Sequence, residues 1–178
     1  LGNVSLPEEE SKHCVKVLRM IEGDTFCVTD GNGFLYDGEL MTAHPKKAVV
    51  NLTNKRKGYD NWPFHFEIDV APTKLNERME WFLEKATEFG IDEVRLFTSY
   101  HSERRTVNVE RLRKIMVSAM KQSIKSRLPK IEDIVSFESL VKQPFDGKKY
   151  IAWIDENVTE QFCDIYKKGE KKVNVNGG

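Results

Sequence analysis

A small β-rich barrel followed by an α/β layer domain with a largely parallel sheet is what this sequence predicts. Three observations carry the prediction. Apolar residues recur with period 2 up to Val70 and with period 3.6 from Lys74; Ala71-Pro72-Thr73 marks the change; beyond it, helical and strand-like stretches alternate. The reading gives two domains, 1–71 and 72–178.

In the first, Ser5 with Glu8 three residues on has capping-box spacing, and Val15 and Leu18 share a face, so a helix is expected from about Leu6 to Arg19. Residues 25–29 are rich in β formers and Asp30-Gly31-Asn32-Gly33 tolerates positive φ. Residues 34–41 continue as a second strand, which makes a hairpin. Residues 48–53 read as a strand and 54–62 as a polar basic loop. Phe64, Phe66, Ile68 and Val70 then alternate with His65, Glu67 and Asp69, as a half-buried barrel strand should.

In the second domain, Leu75, Met79, Phe82, Leu83 and Ala86 form a helical stripe closed by Gly90, and residues 91–97 follow as a strand. Asn108 caps a helix whose face carries Leu112, Ile115, Met116, Ala119, Met120 and Ile124, with Pro129 as its stop. Residues 131–135, 150–155 and 172–175 are further strands, with weaker helices at 137–141 and 159–168.

At 178 residues and 20.6 kDa the chain is too long for a disulfide-stapled miniprotein, and with 39% hydrophobic residues and no long apolar run it holds no membrane span. Cys14, Cys27 and Cys163 are odd in number and widely spaced, which suggests reduced, mostly buried thiols. Residues 1–10 lack the basic start and apolar stretch of a secretory signal, so a cytoplasmic location is expected.

The 28 basic and 28 acidic residues cancel, but unevenly: residues 95–130 hold 10 basic side chains against Glu103 and Glu110 alone. Within that stretch, Ser102-Glu103-Arg104-Arg105 follows a strand and falls where open α/β sheets place ligands. Arginine there can clamp a phosphate; a solvated loop is the plain alternative. A helix over 108–127 carries Arg111, Lys114, Lys121, Lys125 and Arg127 off its apolar stripe, which suits a phosphate backbone as well as an ordinary solvated face. His13, His44, His65 and His101 lack metal-ligand spacing. Trp62, in the basic loop, is the one aromatic that periodicity does not assign to a core. No GxGxxG, P-loop, GxSxG or HExxH is present.

The order of segments resembles the RsmE-type methyltransferases, which methylate N3 of a uridine in 16S ribosomal RNA. The matching residues are His13-Cys-Val-Lys-Val-Leu-Arg19 with Gly23-Asp24 and Asp30-Gly31-Asn-Gly33; Lys74 and Glu84-Lys-Ala-Thr-Glu-Phe-Gly-Ile91; Ser102-Glu-Arg104; and Arg111, Lys114-Ile115, Ala119-Met-Lys-Gln122-Ser and Leu128-Pro129-Lys-Ile131. The resemblance implies an amino-terminal PUA-like barrel for RNA and a carboxyl-terminal SPOUT domain, a trefoil-knotted α/β fold that binds S-adenosylmethionine and dimerises. It implies no metal.

By that resemblance, Ser102, Arg104, Gln122, Lys125 and Arg127 face the RNA, with His13 and Arg19 as contacts of the first domain; the catalytic base is unknown. The partner implied is 16S rRNA or the small subunit. Two departures stand out. Lys125 replaces an arginine of many relatives and lacks its planar fork. After Val175, relatives continue with a glycine-rich loop that closes the knot, whereas this sequence reads Asn176-Gly177-Gly178. Gly177 and Gly178 are then expected to be the start of the cofactor loop, in a chain lacking its knot-closing segment. Two other readings compete: a non-catalytic rRNA-binding or ribosome-assembly protein, and a small-molecule α/β enzyme.

Overall fold

The structure is a computed structural model that describes residues 1–59, 62–152, 161–166 and 172–177. The chain divides after Tyr59 into two compact units.

The first unit contains β1 (Gly2–Ser5), α1 (Glu8–Lys12), a π-helical turn (His13–Val17), β2 (Thr25–Thr29), β3 (Phe34–Thr42) and β4 (Val49–Lys57). The strands form one antiparallel sheet in the order β1-β4-β3-β2. The expected hairpin is present: Val28 lies opposite Tyr36, and the connection uses Gly31 and Gly33 at φ 71° and 102°. Leu40, Ala48 and Val50 are fully buried, with Leu6, Met20, Phe26 and Val28 packed on them. Ser11, also fully buried, ties helix to sheet, since its hydroxyl donates to the Leu6 carbonyl and accepts from the Ala48 N–H at 2.9 Å.

Three expectations are corrected in this unit. Ser5 caps no helix; it pairs with Val49 in β1, and Pro7 takes the cap position. β4 runs through Asn54–Lys57 because β3 is long enough to pair them, Leu35 with Arg56 and Phe34 with Lys57, and a strand with one solvated face accepts polar residues there. Cys14 is buried, but Cys27 is exposed, as is Cys163 of the second unit.

The second unit contains β5 (His65–Val70), α2 (Asn76–Phe89), β6 (Glu93–Thr98), α3 (Val109–Gln122), β7 (Lys130–Ile131), β8 (Val135–Ser136), α4 (Phe137–Lys142), β9 (Lys148–Ala152), α5 (Phe162–Ile165) and β10 (Lys172–Gly177). The sheet order is β7-β6-β5-β10-β9, with β8 extending the β6 edge beyond β7, and every described pairing is parallel. β5 therefore sits between β6 and β10, not in the first sheet, which moves the boundary from Pro72 back to the end of the first unit. Alternation misled here because Glu67 and Asp69 are 5% and 1% exposed: they face a buried polar layer instead of solvent.

On one face of this sheet Phe66, Ile68, Val70, Val94 and Leu96 pack against Met79, Leu83 and Ala86 of α2 and Leu112 and Met116 of α3. Gly90, at φ 82°, closes α2 as a left-handed cap. Trp81 is on the solvent side of α2, 63% exposed. The Asn108 side chain caps α3 by accepting from the Arg111 N–H at 3.0 Å. α3 stops at Gln122, before Pro129, where the Ser123 hydroxyl bonds back to the Ala119 carbonyl at 2.7 Å and Ile124 turns to φ 54°. Ile124 thus leaves the apolar stripe and is 77% exposed, and Lys125 and Arg127 follow the helix instead of lying on it. α4 packs on the opposite face, with Phe137 against Phe97 at 5.2 Å and Leu140 buried. Residues 153–155 of one expected strand, and all of the expected 159–168 helix beyond 161–166, lie outside the described residues. No described helix is long and apolar enough to cross a membrane.

Candidate functional site

The carboxyl ends of β5, β6 and β10 gather the segment after Val70, the loop after Thr98 and the main chain of Gly177 at one edge of the sheet. Gly177 pairs with Val70 on one side and Ala152 on the other; Gly178 lies outside the described residues.

Ser102 and Arg104 belong to the loop between β6 and α3. Ser102 closes a turn, its N–H donating to the Ser99 carbonyl at 3.2 Å while its Oγ accepts from the Ser99 N–H at 2.8 Å. Arg104 is anchored twice: Nε donates to the Thr106 carbonyl at 3.0 Å, and Nη1 donates to the side-chain oxygen of Asn76, the first residue of α2. Lys74 pairs with Glu103 at 3.4 Å, which offsets the one carboxylate of the loop. Arg105 is exposed. The result is an ordered, net positive rim.

Gln122, Lys125 and Arg127 lie elsewhere. α3 runs back from this rim, and the chain re-enters the sheet at Lys130, whose N–H donates to the Asp92 carbonyl just before β6. Fourteen helical residues separate the two groups by roughly 20 Å, so one chain places them at opposite ends of its sheet. His13 and Arg19 belong to the first unit, both exposed, with Arg19 at φ 55°, a conformation uncommon for a non-glycine residue.

The basic excess is also smaller than the count suggests. Arg111 pairs with Glu80 at 2.8 Å, Arg113 donates to the Ile131 carbonyl, and Arg95 is inside the sheet. Arg95 anchors a polar layer that the sequence reading missed. It bonds Asp69 and Glu67, and its Nη1 donates to the Gln143 side-chain oxygen at 2.9 Å, while Asn174 donates to Glu67 at 2.8 Å and Asn176 to Asn174 at 3.1 Å. Burial raises the Glu67 carboxyl above its usual range; Arg95 opposes this, and Glu93 and Asp69 add to it. Arg95 itself holds its proton more firmly than usual, since the Asp69 bonds and charge outweigh burial. The sequence signal was the Val173-Asn174-Val175-Asn176 alternation facing Glu67 and Asp69. His65, Glu67 and Glu93 bring potential metal-ligand atoms within 4.8 Å of one another, but Arg95 already occupies Glu67.

A family model described as an RNA methyltransferase domain matches residues 60–176, and one described as an RNA methyltransferase PUA domain matches residues 6–53. The chain belongs to this RNA methyltransferase family. A curated relative, ribosomal RNA small subunit methyltransferase E of Bacillus subtilis (strain 168), is 28% identical over 86% of the chain, and the chain spans 62% of that relative's length. The crystal structure of a probable rRNA-methyltransferase from Porphyromonas gingivalis is 38% identical, with a TM-score of 0.87, over 97% of this chain and 74% of that one. A ribosomal RNA small subunit methyltransferase E from Neisseria gonorrhoeae, crystallised bound to S-adenosyl methionine, shares the fold at 22% identity and a TM-score of 0.83, over 98% of this chain and 74% of that one. The RsmE-type resemblance read from the sequence therefore holds for this RNA methyltransferase family member.

Proposed function

We propose that this chain takes part in methylating N3 of a uridine in 16S ribosomal RNA, with S-adenosylmethionine as methyl donor. The observation that carries the proposal is the family match over residues 60–176, which contains the ordered basic rim of Ser102, Arg104 and Arg105 at the carboxyl ends of the strands.

Uridine N3 carries a proton at neutral pH and is a poor nucleophile, so transfer requires that proton to leave and the resulting anion to be stabilised while the methyl sulfonium is held in line. The side-chain-free edge at Gly177, beside Val70, suits close approach of the donor. Arg104 offers fixed positive charge because Asn76 and Thr106 hold its guanidinium before RNA arrives. Ser102 is committed to its turn and acts by shaping the rim.

A homodimer belongs to the same proposal. Gln122, Lys125 and Arg127 are placed far from Arg104 within one chain, and a second copy lets one chain's rim meet the other's basic group. The proposed setting is the cytoplasm, on small ribosomal subunits. Tritiated methyl transfer into small subunits from a strain lacking the modification tests the reading. Incorporation at a uridine is expected; RNA binding without any transfer by the full-length protein would favour the non-catalytic assembly role instead.

A further inference from the structure

The loop after β6 displays an aromatic ring that the proposed chemistry has not used. Tyr100 is 89% exposed and His101 is exposed, with the two rings edge to face at 5.0 Å and 87°. Both project from the turn whose ends are locked together: the Ser102 N–H reaches the Ser99 carbonyl, the Ser99 N–H reaches Ser102 Oγ at 2.8 Å, and the two hydroxyls meet at 3.2 Å. A large ring held in water by a rigid turn gains nothing from the fold, whereas a rigid mount lowers the ordering cost of whatever stacks on it.

We infer that Tyr100 is a stacking platform for an unpaired base of single-stranded RNA. Charge favours that partner: Arg104 and Arg105 follow in the same loop, and its one carboxylate, Glu103, is paired with Lys74. Positive groups take the phosphates while the ring takes a base face, a combination that suits single strands; a duplex, whose base faces are covered, can meet the charges but not the ring. This inference rests on the RNA reading above and adds a substrate class to it: the nucleotide presented to the rim is splayed out of any helix. Its N3 edge, hidden in a Watson–Crick pair, is thereby exposed.

Fluorescence anisotropy of the full chain with a labelled single-stranded RNA and with an RNA duplex of the same composition tests it, using wild type, Tyr100→Ala and Tyr100→Phe. Stacking contributes about 5- to 150-fold in affinity per base. Tyr100→Ala is expected to lose that factor on the single strand, at every salt concentration, with duplex binding and melting temperature unchanged, and Tyr100→Phe is expected to keep wild-type affinity. Wild-type affinity of Tyr100→Ala for the single strand, or equal loss on strand and duplex, overturns the platform and leaves the RNA reading standing. A wild-type chain that binds neither RNA overturns both.

Discussion

The Arg95 guanidinium grips the Asp69 carboxylate with two parallel hydrogen bonds, Nε to Oδ1 at 2.8 Å and Nη2 to Oδ2 at 2.9 Å. Adjacent strands β5 and β6 put the two residues in register, and Gln143, at the end of α4, takes the remaining arm. Three elements thus share one cation.

Removing that cation strands Asp69 with its charge buried. Arg95→Met is expected to cost about 3–5 kcal/mol in denaturant unfolding, and the double variant Arg95→Met with Asp69→Leu to recover much of it. A loss for Arg95→Met comparable to that of an ordinary surface substitution would show that the pair is not holding the sheet.

Glu67 sets a pH dependence. Its folded carboxyl is raised above the ordinary 4.5, chiefly by burial, so its favourable contribution is full below that value and fades as pH rises through the folded one. Glu67→Gln keeps an acceptor for Asn174 and does not titrate. The melting temperature of the variant relative to wild type is therefore expected to climb as pH rises from acid to neutral; parallel melting curves would contradict this.

Asn108 is the amino-terminal cap of α3, and Asn108→Ala is expected to cost about 1 kcal/mol, with Asn108→Asp close to neutral. Chemical denaturation of the three proteins checks this.

Arg104→Ala is expected to weaken RNA binding about 5- to 30-fold while leaving S-adenosylmethionine affinity near wild type, and to lower the salt slope by about one counterion. Filter binding for the RNA and calorimetry for the donor separate the two. Unchanged RNA affinity would remove Arg104 from the rim.

Local chemistry was legible in the sequence. The hairpin around Gly31 and Gly33, the Gly90 cap and the Asn108 cap each depend on a few neighbouring residues, and each is found where expected. Ser102 and Arg104 follow the end of β6 for the same reason. What failed depended on distant partners: β5 pairs between β6 and β10, where Glu67 meets Asn174, 107 residues away, and no local pattern reports that. The end of α3 turns on one serine hydroxyl competing with the helix, so Lys125 and Arg127 leave the helical surface that apolar spacing alone predicts for them.

The position of β10 bears on how the chain emerges during synthesis. Residues 172–177 come last among the described elements yet fill the slot between β5 and β9. At typical translation speeds the first unit, whose strands all lie within residues 1–59, is complete on the order of ten seconds before that slot can be filled. Through most of that interval β5 presents an open edge, joined near its end by β9, the condition under which strands pair with the wrong chain. The nascent protein is therefore most in need of a chaperone late, after its first unit has already folded.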